Sequence, residues 1–70
     1  MRIFRERGVA DLLRLLREEP QLLRGAFIAD KVVGKGAAAL MVLGGVEGLF
    51  ADVVSRPALE LLAGAGIAVE

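Results

Sequence analysis

Cysteine and histidine are both missing from these 70 residues. Without cysteine no disulfide can form, and without either residue the usual ligand sets of structural or catalytic zinc are out of reach. A serine nucleophile activated by histidine is likewise impossible within one chain. Aromatics are scarce: Phe4, Phe27 and Phe50 are the only ones. Nine basic and nine acidic residues leave no net charge, so no field draws the chain to nucleic acid or to an anionic membrane. No apolar run reaches the length of roughly 18 residues that a spanning helix needs. The start, Met1-Arg2-Ile3-Phe4-Arg5, lacks the apolar stretch of a signal peptide. A cytoplasmic protein is the expectation.

What is present is apolar. Hydrophobic residues make up 56% of the chain, with Ala, Val, Leu and Gly prominent, and Lys31 and Lys35 are the only lysines. A chain of this length makes one domain. It buries only roughly 60% of its unfolded surface, so a lone monomer is marginally stable. With disulfides and structural zinc excluded, a larger parent protein or a homo-oligomer is the expectation.

Met1–Arg5 reads as a short strand and Gly8 as a turn. Val9, Leu12, Leu13 and Leu16 then recur at i, i+3, i+4 and i+7, with Leu15 widening the stripe and Asp11, Arg14 and Glu18 opposite. This predicts an amphipathic helix ending near Glu19 and stopped by Pro20, with Arg14 and Glu18 as an exposed i, i+4 pair. Ala26–Ala29 reads as a buried strand. Asp30 is placed to cap a helix running from Lys31 to Leu43, apolar on almost every side and ended by Gly44-Gly45. Gly48–Val54 is a second strand. Ser55 caps a helix with Pro57 in its first turn, ended by Gly64 and Gly66. Ile67-Ala68-Val69 is a last short strand. Strands alternating with helices predict an α/β domain with a parallel or mostly parallel sheet.

In such a sheet, ligands bind beyond the carboxyl ends of the strands. Two helix starts are expected there, at Asp30-Lys31 and at Ser55-Arg56, each offering unpaired N–H groups and partial positive charge. Lys31, Lys35 and Arg56 would add formal charge, suited to a phosphate or carboxylate. Gly34 and Gly36 fall inside the predicted helix, where each costs about 1 kcal/mol against alanine. Either close packing or the approach of a ligand to the backbone would offset that cost. Gly34-Lys35 does not complete a phosphate-binding P-loop, since Ala29 stands where the first glycine is needed and Gly36 where a hydroxyl is needed. Ser55 reads as a helix cap, with a Ser-Lys pairing to Lys31 or Lys35 left open. Asp30 and Asp52 lie near strand ends but follow no acid–base spacing.

Ala29-Asp30-Lys31-Val32-Val33-Gly34-Lys35, the Ala-rich stretch after it, Ser55-Arg56-Pro57-Ala58-Leu59-Glu60, Arg7-Gly8-Val9 with Leu12-Leu13, and Gly64-Ala65-Gly66-Ile67 together resemble one family. It is the domain-of-unknown-function family numbered 1893, grouped with cytidine deaminase-like folds. The resemblance implies a three-layer α/β/α-like fold. It also implies a longer domain, with a hairpin before the first helix and more chain after the last strand, so this chain starts and stops inside the pattern. Gly36 stands where the family more often has alanine. Deaminase-like folds carry zinc ligands at two helix starts, as His/Cys-x-Glu and Pro-Cys-x-x-Cys. By resemblance Asp30-Lys31 and Ser55-Arg56-Pro57 occupy those places, without any of the ligands.

The reading that follows is a deaminase-like α/β domain without zinc or other cofactor. It binds a small anionic or nucleotide-like ligand through Asp30, Lys31, Gly34, Lys35 and Ser55. Its rival is an interaction or oligomerisation module with no ligand; an enzyme using Lys or Asp without metal comes third. Nucleic acid and membrane are not among the expected partners.

Overall fold

A computed structural model describes residues 3–5 and 8–70. Its elements run β1 (Ile3–Arg5), α1 (Val9–Glu18), α2 (Pro20–Leu23), β2 (Phe27–Val33), α3 (Lys35–Gly44), β3 (Gly48–Val54), α4 (Arg56–Gly64) and β4 (Ala68–Val69). The four strands form one sheet in the order β1-β2-β3-β4, and every pair is parallel. The α/β class and the parallel sheet expected from the sequence are both present. Each strand lies beside its neighbour in the chain, and right-handed crossovers put all the connecting helices on one side. Accordingly α1 and α4 each pack against α3. A helical layer thus covers one face of the sheet, and the other face is where a further layer of an α/β/α-like arrangement would lie.

The core is the seam between helices and sheet. Leu12 and Leu15 of α1, Leu23 of α2, Met41 of α3 and Leu62 of α4 close over Ile28, Val33 and Leu49. In α1 the buried line is Leu12–Leu15, while Val9 and Leu13 are exposed. The stripe is therefore rotated from the Val9–Leu13 line read in the sequence toward the side that Leu15 widened. Arg14 pairs with Asp11 one turn back, at 2.9 Å, and not with the expected Glu18. That carboxylate raises the guanidinium pKa further above its already high value, by hydrogen bond and then by charge. Pro20 does more than end α1. It occupies the first turn of the one-turn α2, where its missing N–H costs nothing.

The largest departure from the sequence reading concerns β2. It continues through Asp30 and Lys31 to Val33, and α3 begins only at Lys35. Asp30 is thus no helix cap; its carboxylate accepts a hydrogen bond from the adjoining Lys31 N–H at 2.7 Å. Gly34 is the residue before α3, and Gly36 lies in its first turn, so neither carries the interior-helix cost expected of it. Sheet pairing explains the difference. β3 is seven residues long, and β2 matches it from Phe27↔Gly48 to Val33↔Val54. Val32 and Val33 suit a strand through their β-branched side chains. Starting the helix at Lys31 would strip half of β3 of its backbone partners.

β2 and β3 also change phase together. Ile28 and Val33 are both fully buried although they lie five residues apart, and strict alternation would send them to opposite faces. Leu49 and Val54 behave alike, both belonging to the same core. The shift falls between the pairs Asp30↔Ala51 and Val32↔Val53, and because both strands make it the register is kept. Gly45 ends α3 with φ +73°, as the glycine pair predicted. α4 and the strand before it also lie where the sequence placed them.

Candidate functional site

No charged side chain among the described residues is buried. Any site therefore lies at the surface, and the natural place is the carboxyl edge of the sheet. There β2 and β3 end level with each other at Val33↔Val54, and each chain passes through one residue into a helix. The Ser55 N–H donates to the Val33 carbonyl at 3.0 Å, which ties the two strand-to-helix junctions together. The starts of α3 and α4 are consequently neighbours, about one strand spacing apart (~4.8 Å).

The two starts differ in what they offer. At α4, Ser55 adopts extended backbone geometry and its Oγ accepts from the Ala58 N–H at 3.3 Å, the capping role read from the sequence. Pro57 supplies no N–H at all. Only the Arg56 N–H is left over, so this start is largely closed.

At α3 no side chain caps the helix. The first intrahelical bond runs from Ala38 N–H to the Gly34 carbonyl at 3.0 Å. The N–H groups of Lys35, Gly36 and Ala37 precede it, and no side chain of the described residues accepts from them. A Cβ built on Gly34 or on Gly36 would meet nothing within 4 Å, so the approach to these donors is open. Lys35, Gly34 and Gly36 are all exposed. Three backbone donors and a helix dipole thus face solvent at one point, with the exposed Lys35 as the first residue of the helix, an arrangement that attracts a small oxyanion.

Of the residues read as a site, the structure brings Gly34, Lys35 and Ser55 together. Asp30 and Lys31 are set back along β2, with Lys31 about 10 Å below Gly34 by strand rise. Sequence reasoning undervalued Gly36, whose N–H is the middle donor of the three. The Gly-Lys-Gly triplet carried that signal once the helix start is placed after Gly34.

A zinc ion does not fit this edge. Its donor set consists of backbone N–H groups, an ammonium and a guanidinium, all of which repel a cation, and the chain has no His or Cys to ligate one. Among the described residues no cluster of acidic side chains could hold a metal. No helix of the described residues is long and apolar enough to cross a membrane.

A family model described as domain of unknown function (DUF1893) matches residues 1–70. No curated protein matches the chain.

Proposed function

Since the chain belongs to the DUF1893 family over residues 1–70, and that family's description names no reaction, we propose from the carboxyl edge of the sheet that it is a small-anion-binding α/β domain. The observation that carries this is the open start of α3: three successive N–H groups without a side-chain cap, under unobstructed space, beside Lys35. A phosphate suits this donor set, with its oxygens on the amides of Lys35, Gly36 and Ala37 and its charge countered by the Lys35 ammonium. Ser55 keeps its hydroxyl proton for a second ligand group while its oxygen holds Ala58.

The resemblance to cytidine deaminase-like folds supports the same place. In those folds the pocket lies at two helix starts, and here the starts of α3 and α4 are adjacent. A nucleotide-like ligand would set its phosphate on α3 and its remainder toward Ser55. The zinc-bound water of that fold has no counterpart in this donor set, so the reading is of binding and not of deamination.

The test is thermal denaturation against inorganic phosphate, sugar phosphates and nucleotides. A ligand that binds only the folded chain, at a hundred times its Kd, adds about 2.7 kcal/mol. The expected result is a raised midpoint for a phosphate-bearing compound, much reduced in Lys35→Ala. A midpoint that no phosphate compound moves would sink the reading.

A further inference from the structure

We draw no further inference here: the strongest candidate, the apolar patch that Val32, Phe50 and Val53 expose on the sheet face opposite the helices, carries nothing because nothing in the structure shows what covers it.

Discussion

The ring of Phe27 lies across Gly48, its partner in the next strand. A Cβ built on the glycine would come within 2.7 Å of both Cδ1 and Cε1 of that ring. The glycine that opens β3 is therefore occupied space, filled from β2. Gly48→Ala should push the ring aside and lower stability by about 1–3 kcal/mol, as overpacking does. Denaturant unfolding measures the loss. In the Phe27→Leu background the same substitution should cost clearly less, because the two residues are coupled.

Gly44 and Gly36 make a matched pair at opposite ends of α3. A Cβ on Gly44 would stand 2.9 Å from Cδ1 and 3.0 Å from Cβ of Leu23, so Gly44→Ala should destabilise by about 1–2 kcal/mol despite the better helix propensity of alanine. Gly36 has open space, so Gly36→Ala should be neutral or stabilising by up to about 1 kcal/mol. Equal effects at the two positions would contradict the packing described for Leu23.

Capping can be moved from one helix to the other. Ser55→Ala should cost about 1 kcal/mol through loss of the bond to Ala58, and Ser55→Asp should keep it. Gly34 has extended backbone geometry and room for a side chain. Gly34→Asp should therefore raise the unfolding midpoint while abolishing any rise caused by phosphate, since the new carboxylate takes the same N–H groups. A Gly34→Asp protein that still responded to phosphate would place the anion elsewhere.

Truncation of the core should be costly in so small a chain. Leu12 and Leu62 are fully buried on the two outer helices, and Leu→Ala at either should remove about 2–5 kcal/mol. That is a large part of the stability of a domain of this size, so loss of the cooperative transition near room temperature is the expected outcome in circular dichroism.

The sequence was informative wherever local chemistry and tertiary pairing agree. Gly48–Val54 is bounded by glycine and by a capping serine, and it forms a strand over that whole range. Ser55 caps α4 because serine, proline and the following apolar residues all favour a helix start there. Asp30-Lys31 is the contrary case. Locally an aspartate before a lysine resembles a helix start, but the seven residues of β3 need seven partners, and pairing outweighed the cap. A matching of strand lengths would have shown it, since a four-residue β2 beside a seven-residue β3 leaves carbonyls and N–H groups unmatched. The site moved with that boundary, from Asp30 to Gly34. The phase shift shared by β2 and β3 left no local mark, because it depends on two strands shifting together.

The plain strand order has a consequence for the speed of folding. Every sheet pairing joins a strand to the next one in the chain, so each step closes a loop of about twenty residues, and no step waits on a distant segment. The unit β2-α3-β3 holds the longest ladder and can form first, after which β1-α1 and α4-β4 add at either edge. The slow search that burdens many parallel sheets is thereby divided into short and nearly equal closures.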